Sequence, residues 1–308
     1  MKFTGRIKEC KQDFSIIESD MIEEDCEKYY QMWIEKYSSF LRDDIIMKAI
    51  YINTRVIRSR KEVVSAAQLL MEAKSNKENG CVTSYFFSCY YALFHAMLAV
   101  VYTNIEIGDD IVEITHSKLV NVFCDYYARE HKIFEPSLRE FIEKCRYMRE
   151  YYSYIIPYNV LFGDFDENYL EEIIKKMIML ADLHVWMISK KSMYVKRSVQ
   201  YTEELCKRFL QFNVRKNDGE ISEKVKTLKG TIGAIIRKYN AEPDDADYDA
   251  LVEIIHNGIN CQRFEEELSH DWDEAGYSEG MKPLFDEKNV YDIKHKANCF
   301  LYDLINYY

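Results

Sequence analysis

Residues 84–102, from Ser84 to Tyr102, read SYFFSCYYALFHAMLAVVY, and this stretch decides the fold class. Wound as an α-helix it is apolar and aromatic nearly all the way round, which marks a central helix covered on most sides by others. A membrane-spanning helix needs about 20 apolar residues. The longest apolar run here, Tyr90 to Tyr102, is 13 residues and contains His95, so the expected reading is a core helix with no membrane partner.

Working upstream, Asp44 to Ala73 predicts a long helix with an apolar stripe of Val56, Val63, Val64, Ala67, Leu70 and Met71, followed by a polar loop, Lys74 to Gly80, that Gly80 closes. Before it, Tyr30, Trp33, Ile34, Tyr37 and Leu41 recur at helical spacing within residues 1–55. Downstream, Thr115 or Ser117 is placed to cap a helix containing Leu119, Val120, Val122 and Phe123. Pro136 and Ser137 open another helix from Leu138 to about Tyr154, and residues 167–190 form a third, with early glutamates and late lysines that suit the helix dipole. Further helices are expected at 194–213, 221–239, 248–268 and 289–307.

Composition agrees with this all-α reading. The 308 residues include 10 glycines and 4 prolines, too few to build a sheet with many hairpin turns. Nine cysteines are scattered without a C-x-x-C pair, and the seven histidines show no ligand spacing; reduced thiols are expected, with no metal and no cofactor. The N-terminal residues carry no signal-peptide pattern, so a cytoplasmic location is expected. The net charge of −11 excludes a uniformly basic nucleic-acid binder. Its distribution is polarised: Ile188 to Lys238 holds 13 Lys/Arg against 5 Asp/Glu, and Ala241 to Glu287 holds 2 against 15.

Three segments in a fixed order carry a family resemblance. They are S-Y-x-x-x-x-Y-Y-A-x-F-H-A at Ser84–Ala96, T-H-S-x-L-x-x-x-F at Thr115–Phe123, and the helix Arg146-Tyr-Met-Arg149-Glu-Tyr-Tyr-Ser-Tyr154, with the amphipathic helix after Asn168 following them. From about Val64 to Ile188 the chain thereby resembles the HEPN domain, a helical bundle common in toxin–antitoxin and phage-defence systems. The resemblance implies an antiparallel bundle of four to five helices over 56–190, with a helical extension at 1–55 and a helical region at 191–308. It also implies a homodimer with polar residues facing each other across a cleft. Nuclease members carry R-x(4–6)-H there, in which Arg steadies phosphate charge and His transfers protons without a metal. Here Arg146 and Arg149 are followed at that distance by Tyr151, Tyr152, Ser153, Tyr154, Ile155 and Ile156, so the chain resembles the branch in which tyrosine follows the arginine.

Arg146 and Arg149 lie three apart on one helix face, where two guanidinium groups can hold a phosphate. A surface ion-pair ladder with Glu143 and Glu150 is the plainer reading of the same residues. His116 either fixes its own loop or joins the site, while His95 reads as core packing and His131 as a solvated turn residue. The tyrosines at 147, 151, 152, 154 and 158 read as a dimer interface or as a platform for stacking single-stranded RNA. Arg263 and His270 match R-x(6)-H but enclose three glutamates, and the acidic run Asp244–Asp249 lacks the glycine and final glutamate of a calcium loop. The expected site is therefore Arg146, Arg149, Tyr151, Tyr154 and His116. The expected function is a HEPN-type effector on RNA, a metal-independent endoribonuclease toxin or phage-defence component. The alternative is a silent interaction module that pairs with a nucleotidyltransferase or another defence subunit.

Overall fold

The computed structural model describes residues 14–19, 21–42, 45–155, 165–192, 238–239 and 287–305, and among them every regular element is helical. The elements are α1 (Ser15–Glu18), α2 (Glu23–Phe40), α3 (Ile45–Glu78), α4 (Val82–Thr103), a 3₁₀ turn (Asp109–Glu113), α5 (His116–Phe123), α6 (Leu138–Tyr154), α7 (Glu167–Ser192) and α8 (Glu287–Ile305). The helices expected at 194–213, 221–239 and 248–268, the basic and acidic segments, and Arg263 with His270 lie outside the described residues, apart from Lys238 and Tyr239.

Helix α4 is the hub, packed against α3, α5, α6 and α7. Its register against α3 is antiparallel, and side-chain contacts trace it: Asn76 meets Ser88, Glu62 meets His95, Ser59 Oγ donates to the Ala99 carbonyl, and Arg55 reaches the Tyr102 carbonyl. Fully buried small residues, Ala66 and Ala67 on α3 and Ala92, Ala96 and Ala99 on α4, leave room for close approach. The turn between them ends α3 in a Schellman arrangement. Gly80 adopts φ +71°, Cys81 N–H donates to the Asn76 carbonyl and Gly80 N–H to the Lys77 carbonyl. Residues Lys74 to Glu78, expected as loop, therefore belong to the helix, because Lys74 and Lys77 form ion pairs with Glu171 and Glu167 of α7. Helix α3 also runs unbroken through residues 55 and 56, and the aromatic face of α2 enters the same core through Tyr29, Tyr30, Trp33 and Tyr37.

The C-terminus of α4 is satisfied by side chains from other helices. Arg55 of α3, fully buried, uses all five N–H donors, on the carbonyls of Val101, Tyr102, Asn104 and Ile107 and on the Tyr51 hydroxyl. Tyr37 of α2 donates to the Thr103 carbonyl at 2.9 Å. A guanidinium buried at a helix C-terminus is stabilised by the negative end of the dipole and by these orphan carbonyls. Farther in, His184 of α7 bridges Thr103 Oγ1 (2.7 Å) and the Tyr29 hydroxyl (2.6 Å).

Helix α5 begins with Thr115, whose hydroxyl accepts the Lys118 N–H, and then widens into a π-helical turn over Cys124–Glu130. Lys132, at φ +53°, ends that turn while Ile133 and Phe134 N–H both bond the Tyr127 carbonyl. The turn folds His131 inward. Expected in solvent, it instead packs between Tyr126 (4.5 Å between ring centres) and Tyr29 (5.3 Å).

Candidate functional site

Four helices converge on one polar cluster. Helix α4 contributes Tyr90, Tyr91, Phe94 and His95, which share a face because they lie one and four residues apart. Helix α3 contributes Arg58 and Glu62, the start of α5 His116 and Ser117, and α6 Arg146, Arg149 and Glu150.

The two arginines differ in their surroundings. Arg146 Nε donates to Glu150 at 3.0 Å, Glu143 lies at 3.8 Å, and another guanidinium nitrogen donates to Ser117 Oγ at 3.0 Å. Its charge is thus largely answered within the chain. Arg149 lies over the faces of Tyr90 and Tyr91, 5.1 and 5.4 Å from the ring centres, with a long hydrogen bond to the Tyr91 hydroxyl at 3.4 Å. Its Nε is buried without a hydrogen-bond partner, and among the described residues no carboxylate pairs with it. A planar cation held by aromatic faces with an unfilled donor suits an oxyanion such as phosphate.

His116 completes this edge. Its ring stacks on Phe94 at 4.3 Å and its Nδ1 lies 2.7 Å from the Tyr90 hydroxyl. Burial, together with the charges of Arg149 and Arg146, lowers its pKa below the usual histidine value, outweighing the pull of Glu150. The imidazole is therefore neutral near pH 7. Tyr90 keeps its proton because burial pushes its pKa up to about 12 despite both arginines.

On the α3 side Glu62, nearly inaccessible, forms an ion pair with Arg58, whose Nε lies 2.7 Å from one oxygen, and a hydrogen bond with His95 Nδ1 at 2.5 Å on the other. His95 is not the packed core residue expected of so apolar a helix: a quarter of its side chain remains exposed. Tyr91 and Phe94 touch both histidines, with ring centres 6.4 and 5.7 Å from His95 and 5.8 and 4.3 Å from His116.

Of the five residues expected at the site, Arg146, Arg149 and His116 come together. Tyr151 and Tyr154 do not join them within the chain. Five residues along a helix turn the side chain well away, and Tyr151 stacks on Tyr147 at 5.7 Å while Tyr154 is 76% exposed at the helix end. Sequence reasoning missed Tyr90, Tyr91, Arg58 and Glu62. Tyr90 and Tyr91 stood in the Ser84–Ala96 pattern without being singled out for the site, and the part of Arg58 and Glu62 depends on how α3 and α4 meet.

Away from this cluster, a cleft of about 660 Å³ along the π-helical turn is lined by Asp125, Arg129, Lys132, Glu135 and Arg139 among others. There Asp125 is within 3.4 Å of Arg129 and 3.3 Å of Arg139, so its cations are largely offset.

Compared with known protein families, with curated proteins and with solved structures, the chain finds no match in any of the three.

Proposed function

We propose that this protein is a HEPN-type effector that binds and cleaves single-stranded RNA at the cluster of Arg149, Arg146 and His116. The observation that carries this reading is Arg149, a guanidinium lying over two tyrosine rings with a buried donor unfilled and a neutral imidazole close by. Arg149, aided by Arg146, takes the charge of the phosphodiester, and His116 moves a proton at the reacting oxygen. Phe87, 45% exposed and 4.5 Å from Tyr91 between ring centres, extends the aromatic surface outward from Arg149 as a stacking place for a base. Arginine answers phosphate charge without a metal, so cleavage is expected to persist in chelator.

The test is cleavage of purified RNA in chelator, alongside cellular toxicity, by wild type, Arg149→Ala and Arg146→Ala. Loss of a group that stabilises developing charge costs about 10²–10³ in rate. Arg149→Ala is expected to lose that much and Arg146→Ala less, since Glu150 and Glu143 already claim Arg146. Two folded variants as active as wild type would dismiss the site.

The commitment of Arg146 to two glutamates favours one other reading, a silent HEPN module that pairs with a nucleotidyltransferase or another defence subunit. A wild type that neither cuts RNA nor harms cells would put that reading in its place.

A further inference from the structure

Two histidines, not one, touch Tyr91, the ring over which Arg149 lies. We infer that His95, held by Glu62 and Arg58, is a second proton-transfer residue of this site, acting as general acid opposite His116 as general base; this rests on the RNA-cleaving reading above.

The argument begins with what surrounds His95. A histidine in an apolar helix that served packing alone would be enclosed, with both nitrogens satisfied by neighbours. Here Nδ1 is fixed by a carboxylate that is itself buried and anchored from its other oxygen by Arg58, while the ring keeps an exposed portion. A carboxylate on one imidazole nitrogen fixes the ring's orientation and leaves the other nitrogen to do chemistry. Among the described residues His95 is hydrogen-bonded through Nδ1, which leaves Nε2 available. Burying Glu62 beside a histidine has a desolvation cost that simple packing would not demand.

The groups facing His95 are known from each neighbouring element. They are Glu62 and Arg58 of α3, Tyr91 and Phe94 of its own helix, and His116 of α5, whose protonation His95 itself disfavours. Arg149 lies over Tyr91, the ring that both histidines touch. Two imidazoles and a guanidinium thus meet at a single ring, Tyr91. That is the set required for cleavage of RNA by its own 2′-hydroxyl.

The step balances without any co-reactant. In the tautomer that donates Nδ1–H to Tyr90, His116 Nε2 takes the proton of the 2′-hydroxyl as that oxygen forms its bond to phosphorus. The bond from phosphorus to the 5′-oxygen breaks, and the leaving oxygen takes the Nε2 proton of an imidazolium at His95. Arg149 answers the charge on the non-bridging oxygens throughout. The products are a 2′,3′-cyclic phosphate and a 5′-hydroxyl, with the two histidines left in exchanged protonation states that solvent resets.

The decisive substrate is a short single-stranded RNA carrying sulfur in place of the 5′-bridging oxygen at the bond that wild type cuts. A thiolate leaves without a proton, so it needs no general acid. His95→Ala is expected to cut ordinary RNA about 100-fold or more slowly than wild type and the sulfur substrate nearly as fast. His116→Ala is expected to be slow on both. Glu62→Gln, which keeps the volume and serves if His95→Ala fails to fold, should show the same selective loss in smaller measure; circular dichroism and a thermal melt establish folding. If wild type cuts RNA but His95→Ala equals it, or is equally impaired on both substrates, His95 is no general acid while the RNA-cleaving reading stands. If wild type cuts neither substrate, that reading falls and this inference with it.

Discussion

At the scale of single residues, histidines show how position along a helix gives one side chain very different properties. His184 is fully buried, and burial lowers its pKa from the ordinary 6.5 to about 3. In the unfolded chain the same imidazole protonates near 6.5, so between that value and 3 the unfolded state binds the extra proton. The stability conferred by a neutral His184 is therefore complete above 6.5 and is lost as pH falls, by up to about 1.4 kcal/mol per unit. Urea unfolding at pH 7, 6 and 5 should show wild type weakening along this slope. His184→Gln, less stable at pH 7 by about 1–3 kcal/mol for its disturbed hydrogen bonds, should weaken less steeply. Parallel slopes would mean that His184 does not remain neutral in the fold. None of this was legible in the sequence, where LADLHVWM reads as an apolar helix with two polar guests, Asp182 and His184. The partners that make His184 distinctive, Tyr29 and Thr103, are 155 and 81 residues away. The same holds for Glu62 and His95: each was visible, but their meeting was not. Arg146, Arg149 and His116 were singled out from short sequence patterns, and the structure brings their side chains together.

At the scale of elements, periodicity and punctuation were read most reliably where the chain supplies its own stop. Helix α6 spans Leu138–Tyr154 as expected from Pro136 and Ser137, and Gly80 ends α3. The loop expected from Lys74 onward failed because polar composition was taken for irregular structure. Exposed lysines and glutamates on the last turns of a helix look the same in sequence as those of a loop, and only the ion pairs to α7 distinguish them. Gly80 offers a quantitative test. A Cβ there would meet nothing within 4 Å, so Gly80→Ala is opposed only by the left-handed backbone at φ +71°. A loss of about 1–2 kcal/mol is expected in chemical denaturation, with no change in activity. No loss would mean that the turn relaxes to another conformation. The π-helical turn after α5 had no sequence signal of its own, since Cys124–Glu130 contains neither glycine nor proline.

At the scale of the whole molecule, the outer surface of the bundle bears on assembly. Phe87, Tyr147, Tyr154 and Ile155 are large apolar side chains left 45–76% exposed on α4 and at the end of α6. Aromatic residues of this kind are enriched at protein interfaces, and we propose that the protein forms a homodimer through them. Light scattering at micromolar concentration is expected to report a dimer, which Phe87→Ser combined with Tyr147→Ser should weaken. A monomeric wild type would remove the proposal. A different matter follows from the hub position of α4. Val82–Thr103 is long and apolar enough to cross a membrane by length and composition, yet most of it is enclosed by other helices. Its partners are made at different times. Helix α3 leaves the ribosome first and can zip onto α4 at once, but α7 begins at Glu167, 64 residues after Thr103. At about 5–20 residues per second the growing chain leaves the α7-facing side of this apolar segment uncovered for several seconds. A chain stalled before α7 is therefore expected to be captured by chaperones that recognise exposed apolar helices, while the finished chain is released.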